Sequence, residues 1–435
     1  APAASRPGLG PPVLDPAAPR DAIPPSPVQF AKPSHIFGLA PIATGPYQGP
    51  FGAVAHVDST VVVVSRDLMR EIIARTPPAA RLTLIAYHAR GMSRLIYEKC
   101  CLATLSVKER LLQELAHLAR SFPRAKSPGT IDLPLSHQDL AELVGASRFT
   151  VMRTLADLRD TVHVARGRYT MQTSVAALGA PSPRRASAPR GRPGDERSRK
   201  GFAKSLSWAH DRLGLPRRVV RLLANGASLT SYEAGERIAS DRGLHASVLW
   251  SGAARVMVSV GDARSVGAWI AKPGHFIGVG WSGERAHHAR AFSAVALTPC
   301  EVAVLSPKLM TEALAMLSPD EILRFLGYLH EALSRHLYDR CVTLSLGNTE
   351  RLLYQLARLA RDFPDRRPDG MRIDLPLRPS RDLAPLVSMS RTVLSRSLSA
   401  LKAAGRILVL SDGSIVVRPA GSWAADPLEG GLYRT

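Results

Sequence analysis

Acidic residues are in short supply in this 435-residue chain. It has 36 Asp and Glu against 57 Lys and Arg, a formal net charge of +21. Most of the cations are Arg, whose planar fork suits phosphate and guanine, so a polyanionic partner is favoured. Cysteine is also scarce. The four residues Cys100, Cys101, Cys300 and Cys341 show neither CxxC nor zinc-site spacing, so a disulfide framework or a structural metal is not expected. Cys100 and Cys341 sit in apolar helical contexts and read as buried structural thiols. No apolar run approaches the ~18 to 20 residues of a membrane helix. The N-terminus has neither a Met nor a charged-then-apolar leader, so a cytoplasmic location is expected. There is no Walker loop, GxGxxG, HExxH or GxSxG, so an enzyme is not expected. His275, His287 and His288 come together only around a probable hairpin tip; metal ligation is not expected, nor is any cofactor.

What the chain does have is one segment written twice. AKPSHIFG (Ala31–Gly38) returns as AKPGHFIG (Ala271–Gly278), and RLLQELAHLARSFP (Arg110–Pro123) as RLLYQLARLARDFP (Arg351–Pro364). IDLPL begins at Ile131 and again at Ile373, and ASRFTVMRTLADL (Ala146–Leu158) is answered by MSRTVLSRSLSAL (Met389–Leu401). A spacing of roughly 240 residues is too long for a solenoid and marks two related multi-part units.

The second unit reads as complete. A short amphipathic helix at 213–224 precedes alternating strands within 228–306, punctuated by Gly and Pro as in a β-barrel or roll. A short helix at 307–316 and a long helical stripe at 318–346 follow; the stripe is long enough to suggest pairing with another helix. The first unit matches only from Ala31. It is expected to keep the last roll strands, PFGAVAHVDSTVVVVS, and a long helix at 79–105. Either its roll is degraded or the chain has lost its beginning, and the missing Met favours the second. An orphaned half-roll would expose sheet edges, so the second unit would have to cover it.

After each long helix the same elements recur. A helix (110–122; 351–363) leads to a short strand (131–135; 373–377) and then two helices joined by a tight turn: HQDLAELV–GAS–RFTVMRTLADLR and SRDLAPLV–SMS–RTVLSRSLSALKAAG. Leu140, Ala141, Leu143, Val144, Val151, Leu155 and Leu158 bury one side of a helix-turn-helix, and Gly145 suits the turn. Ser147 and Ser390 are placed to cap the second helix. Hairpin wings follow, with turns near Arg166–Gly167 and at Asp412–Gly413. Arg148 and Arg153 lie five apart, as do Arg391 and Arg396, near the start of a helix that can present them to guanine O6 and N7 or to phosphates. With Phe149, Thr150, Thr392 and Val393 they make the expected DNA-binding set.

Roll, long helix, IDLPL and DLAxLVxxSRxxxxRxL together resemble the Crp/Fnr (cyclic-AMP receptor/fumarate-nitrate regulator) family of transcription factors. The resemblance spans about 213–419 in full and 31–173 as a truncated copy. It implies an α+β fold: a cyclic-nucleotide-binding-like β-roll, a long dimerisation-type helix and a winged helix-turn-helix, present twice, the first copy with a truncated roll. Two departures qualify it. Where cyclic-AMP-binding members carry a ribose-binding Glu this chain has Val279, next to Gly278, and their Arg-Ser phosphate pair is Arg290–Ala291. The first copy has Leu39, Gly49 and Pro50 there. Such a pocket forgoes several charge-assisted bonds, so control by cyclic AMP is not expected. The family's Arg-Glu-x-x-x-Arg pattern also loses its Glu, to Phe149 and to Thr392. Phe suits a thymine methyl and Thr several bases, so the two heads need not read the same sequence.

The expected organisation is a disordered Pro-rich segment (1–30), truncated roll and long helix (31–105), winged helix-turn-helix (106–177), basic flexible linker (178–204), complete roll and long helix (205–346), second winged helix-turn-helix (347–420) and a tail (421–435). The expected partner is double-stranded DNA, with RNA polymerase as a further partner the resemblance admits and no membrane. The long helices would pair within one chain as a pseudo-dimer or between chains as a homodimer. The competing expectation is a signal-binding or protein-interaction module whose helix-turn-helix is only scaffold.

Overall fold

The computed structural model describes residues 53–124, 127–165, 168–171, 192–193, 215–238, 246–260, 264–279 and 292–418. The expected N-terminal segment, most of the linker and the tail from 421 lie outside these residues.

Helix α1 (Arg66–Arg75) begins where the Ser65 hydroxyl accepts the Leu68 N–H at 3.2 Å. The 27-residue α2 (Pro78–Thr104) follows, and then α3 (Val107–Ser121). A reciprocal capping box starts α3: Ser106 N–H donates to Glu109 at 2.7 Å, and Glu109 N–H to the Ser106 hydroxyl at 3.3 Å. Strands β1 (Pro123–Arg124) and β2 (Ser127–Ile131) lead into α4 (His137–Val144) and α5 (Arg148–Asp157), and β3 (Val162–Ala165) and β4 (Arg168–Met171) close the sheet in the order β1-β2-β4-β3. Leu111, Leu115, Ile131, Leu140, Val151 and Tyr169 form the core of this first head.

A two-residue strand, β5 (Arg192–Pro193), lies within the linker and pairs with the edge of the roll. Helix α6 (Arg217–Gly226) then introduces eight antiparallel strands: β6 (Ser228–Tyr232), β7 (Arg237–Ile238), β8 (Ala246–Ser251), β9 (Ala254–Val260), β10 (Arg264–Ala271), β11 (Phe276–Val279), β12 (Phe292–Ala296) and β13 (Cys300–Leu305). They form two sheets, β10-β9-β12-β7 and β11-β8-β13-β6-β5. Leu249, Val256, Ile277, Ala294 and Val302 fill the space between them. Helices α7 (Pro307–Ala315), α8 (Pro319–Ser345) and α9 (Asn348–Asp362) follow. The second head is built from β14 (Pro364–Arg367), β15 (Gly370–Ile373), a π-helical turn (Pro379–Leu383), α10 (Ala384–Val387), α11 (Arg391–Ala403), β16 (Ile407–Val409) and β17 (Ile415–Val417). Its sheet order is β14-β15-β17-β16.

The structure corrects three expectations. Residues 53–65 form no strand, and Val61, Val62 and Val63 are 58%, 82% and 86% exposed. The aligned β13 is held by β6 on one side and β8 on the other. Among the described residues the Val61–Val64 stretch has no such neighbours, and an isolated strand gains too little to form. The IDLPL strands are also shifted: β2 and β15 end at Ile131 and Ile373. Beyond those residues Pro134 and Pro376 remove a ladder donor. Finally, the first helix of the second head starts as a π turn. Arg378 takes the N-cap place that Ser136 holds on α4, and one extra residue separates it from the Asp; its side chain gives no cap, so of the capping box the Asp half alone has a counterpart, Arg378 N–H to Asp382.

The two long helices pack along each other. His88 lies near His330, and Lys99 Nζ meets the Asp339 carboxylate at 3.1 Å. The matching order of these contacts means that the helices run parallel. Arg358 of α9 pairs with the same carboxylate, and the Tyr354 hydroxyl donates to it at 3.0 Å. Ile96, Tyr97, Cys100 and Cys101 on α2 cover Val258, Val260, Val266 and Ala268 of the roll, while Ile73 and Ile85 join the core under α7 and α8. The second head is fastened to the roll by the buried Arg255–Asp382 pair and by Lys272–Asp362. Ala253 and Ile270 of the roll enter the head's own core beside Leu386 and Val387.

Burial opposes the charge of Asp339, but Arg358, Lys99 and His336 hold its carboxyl well below the usual carboxylate range. Asp339→Ala leaves two cations without their anion, at a cost of about 3–5 kcal/mol. Chemical denaturation should show that loss, and adding Arg358→Leu should recover part of it. Burial, with His88 adding like-charge repulsion, pushes His330 down to about 4. The unfolded imidazole titrates near ~6.5, so the unfolded chain binds more protons below that pH. His330 therefore contributes full stability above about pH 6.5, and that contribution is lost as pH falls toward 4. Melting temperatures measured across this window should fall less steeply in His330→Gln.

Candidate nucleic-acid interface

Each head presents one helix with a prepared N-terminus. In the first, α4 ends at Gly145, which takes the left-handed conformation (φ 59°), and Ala146 N–H returns to Ala141 O at 2.9 Å. The chain turns, and Ser147 caps α5: its hydroxyl accepts the Thr150 N–H at 3.1 Å and shares a 2.8 Å hydrogen bond with the Thr150 hydroxyl. In the second head the left-handed position is filled by Ser388 (φ 60°), the sole non-glycine residue with positive φ among those described. Ser390 caps α11 by accepting the Val393 N–H at 3.3 Å.

At ~100° per residue, α5 divides into two arcs. Val151, Thr154, Leu155 and Leu158 face the core. Arg148, Phe149 and Arg153 lie on the opposite, exposed arc, with Phe149 82% exposed. On α11, Leu394, Ser397 and Leu401 are buried while Arg391, Thr392 and Arg396 are exposed. The predicted residues Thr150 and Val393 sit apart from these sets. Both are half-buried at the edge of the packed face, and Thr150 spends its hydroxyl on the cap. Two Arg forks beside a helix N-terminus can bond guanine O6 and N7 or phosphate oxygens.

The wings flank these helices. In the second head the turn falls at Asp412–Gly413 as expected: Gly413 has φ 79°, and Leu410 N–H donates to Ser414 O at 2.9 Å. The Ser414 hydroxyl and backbone N–H donate to Asp412 at 2.6 and 2.9 Å and hold its carboxyl below the usual carboxylate range. Arg166 and Gly167, the predicted turn of the first wing, lie outside the described residues.

The predicted effector pocket is only partly visible. Gly278 and Val279 pair with Ser247 and Ala246 on β11 and β8, but Arg290 and Ala291 lie outside the described residues, as do His287 and His288. Among the described residues no cluster of three or more His, Cys, Asp or Glu is arranged for a metal, and no helix is long and apolar enough to cross a membrane. Burial pushes the Cys100 thiol up to about 12 and the Cys300 thiol up to about 11, so neither is a ready nucleophile.

Two sets of residues escaped the sequence analysis. Met152 and Ala156 on α5, and Ser395 and Ser399 on α11, share the exposed arcs with the Arg pairs. Helical spacing from Arg148 and Arg391 puts them on one arc with the Arg pairs, but the burial of the opposite face is what leaves that arc exposed. The Asp382–Arg255 pair had no such signal, because its partners are 127 residues apart.

Residues 109–179 match the Crp-like helix-turn-helix domain family. The chain is 32% identical over 144 residues to the global nitrogen regulator of Synechococcus elongatus, a match spanning 32% of this chain and 63% of that protein. It is likewise 32% identical over 139 residues to the global nitrogen regulator of a Nostoc species, spanning 31% and 60%. The chain thus spans about three fifths of the length of these curated relatives. They are regulators, not enzymes. Among solved structures, the c-di-GMP responsive global regulator CLP of Xanthomonas campestris is 21% identical with a TM-score of 0.40, covering 47% of this chain and all of that one. A CooA mutant from Carboxydothermus hydrogenoformans is 16% identical with a TM-score of 0.38, covering 47% and 88%.

A left-handed backbone costs a residue with a Cβ about 1–2 kcal/mol. Ser388→Gly should therefore stabilise the second head by about 1 kcal/mol, whereas Gly145→Ala should destabilise the first. Denaturation midpoints of the two variants, moving in opposite directions, check this.

Proposed function

We propose that this chain is a sequence-specific DNA-binding transcriptional regulator of the Crp/Fnr type with two reading heads, related by tandem duplication. One observation carries the proposal. An exposed, Ser-capped helix with an Arg pair five residues apart occurs in both heads, on Arg148 and Arg153 and on Arg391 and Arg396. A solvated helix face accounts for one such pair; repetition within a matched winged helix-turn-helix favours a ligand. The net charge of +21 fits a phosphate backbone. The match of residues 109–179 to the Crp-like helix-turn-helix domain supports the first head, and its name and organisation are carried to the second by the internal repeat.

The parallel packing of α2 on α8 within one chain supports a pseudo-dimer. Such a molecule would set its recognition helices one turn of DNA apart, ~34–36 Å. Fusion makes the second contact intramolecular and raises its effective concentration. Val279 in place of a ribose-binding Glu favours regulation without cyclic AMP.

The test starts from duplexes selected from a random pool by the full chain. Replacing Arg148 and Arg153 with Ala, or Arg391 and Arg396, should each weaken binding at one half-site. Affinity of the unaltered chain should fall steeply with salt, the logarithm dropping by about 0.9 per phosphate contact for each logarithmic unit of salt. Light scattering should return the mass of one chain per complex. Intact specific binding in both variants would overturn the assignment of the Arg pairs, absence of specific binding by the unaltered chain would favour the scaffold reading, and a dimeric mass would replace the pseudo-dimer with a homodimer.

A further inference from the structure

The two exposed arcs have the same cationic flanks and different centres. Taking the first Arg of each helix as the origin, the ~100° step places residues in the order Arg148, Met152, Ala156, Phe149, Arg153 across an arc of ~140° on α5. The same arc on α11 reads Arg391, Ser395, Ser399, Thr392, Arg396. All ten residues are exposed. Between its Arg pair the first head therefore carries Met, Ala and Phe, and the second carries Ser, Ser and Thr. Neither Phe149, 82% exposed, nor Met152, 42% exposed, contributes to the core of the first head. Leaving them in water is unfavourable unless a partner covers them.

On the reading of the heads as DNA-binding, on which this inference rests, the partner's chemistry follows. The floor of the major groove is polar except at one feature, the C5 methyl of thymine. An aromatic and a thioether side chain set between two Arg forks have no hydrogen bonds to offer to base edges, but they can bury methyl groups while the flanking Arg residues take guanine or phosphate. A row of hydroxyls in the same place does the reverse: it donates to and accepts from base edges and gains little from a methyl.

We propose that the two heads read chemically different half-sites. The first recognises thymine C5 methyl groups through Phe149 and Met152, and the second recognises polar base edges through Thr392, Ser395 and Ser399. The operator of this chain is then asymmetric, with a fixed orientation for the two heads.

Uracil, which is thymine without that methyl, supplies the test. A duplex selected from a random pool by the full chain is resynthesised with deoxyuridine in place of thymidine in one half at a time. The half belonging to the first head is identified by the footprint lost in Arg148→Ala/Arg153→Ala. Burying one methyl contributes on the scale of ~0.8 kcal/mol. Deoxyuridine in that half should therefore weaken binding about fourfold per contacted base, whereas deoxyuridine in the other half should leave affinity unchanged. The variant Phe149→Thr/Met152→Ser should bind the thymidine and deoxyuridine duplexes equally. A first half-site without thymine, equal affinity for the two duplexes, or a deoxyuridine effect that persists in the variant would overturn the proposal while leaving DNA binding intact. Failure to select any duplex would overturn the DNA-binding reading and this proposal with it. A change in oligomeric mass in Phe149→Thr/Met152→Ser, with no change toward deoxyuridine, would assign the patch to protein association instead.

Discussion

The Asp339 carboxylate is fully buried and receives Lys99 from α2 and both Arg358 and Tyr354 from α9. One anion thus joins the two long helices and the helix that leads into the second head. Taking that charge out of water is expensive, and only a full set of donors offsets it. The constraint is therefore geometric as well as energetic: α2, α8 and α9 must meet at one point or the carboxylate is stranded. Arg358 also approaches Asp362, which pairs with Lys272 of the roll, so the network runs from the first unit's helix through the second to the roll.

This arrangement treats the two heads unequally. In the first, Asp139 closes a local capping box with Ser136. In the second, the N-cap is Arg378, which has no capping hydroxyl; the aligned Asp382 accepts its N–H at 2.7 Å and binds buried Arg255 of the roll. A small local change, the loss of the capping Ser and one added residue, goes with a large consequence: one head is capped on itself and the other is locked to the roll. The same inequality appears at Glu98 and Asp339, aligned positions on the two long helices. Glu98 pairs with Arg94 on its own helix at 2.5 Å, whereas Asp339 reaches across to its neighbours. The exposed arcs of α5 and α11 diverge as well, in chemistry rather than in placement.

Much of the fold was legible because its signals are local. The roll strands follow Gly and Pro punctuation closely, and the two long helices fall within a residue or so of the apolar stripe. Ser147 and Ser390 cap as their position before an apolar-periodic run implies. The failures have separate causes. Val61–Val64 has the composition of a strand, but a strand exists only through its neighbours, and those described lie elsewhere. The π turn at Pro379–Leu383 takes up the one extra residue between Arg378 and Asp382. The candidate site was half legible: the Arg pairs were found by repetition, while Met152, Ala156, Ser395 and Ser399 emerge only once the buried and exposed arcs are known.

By itself, the amino-acid sequence determined the elements, the repeat and the two Ser-capped, Arg-bearing helices, because capping, periodicity and turn chemistry act within a few residues. Tertiary structure alone decided which helices pair, which head is fastened to the roll, and which side chains on α5 and α11 are left facing outward. Those outcomes depend on contacts such as Lys99 to Asp339 and Arg255 to Asp382, more than a hundred residues apart. No local preference encodes such a pairing; it follows from which surfaces must be buried together.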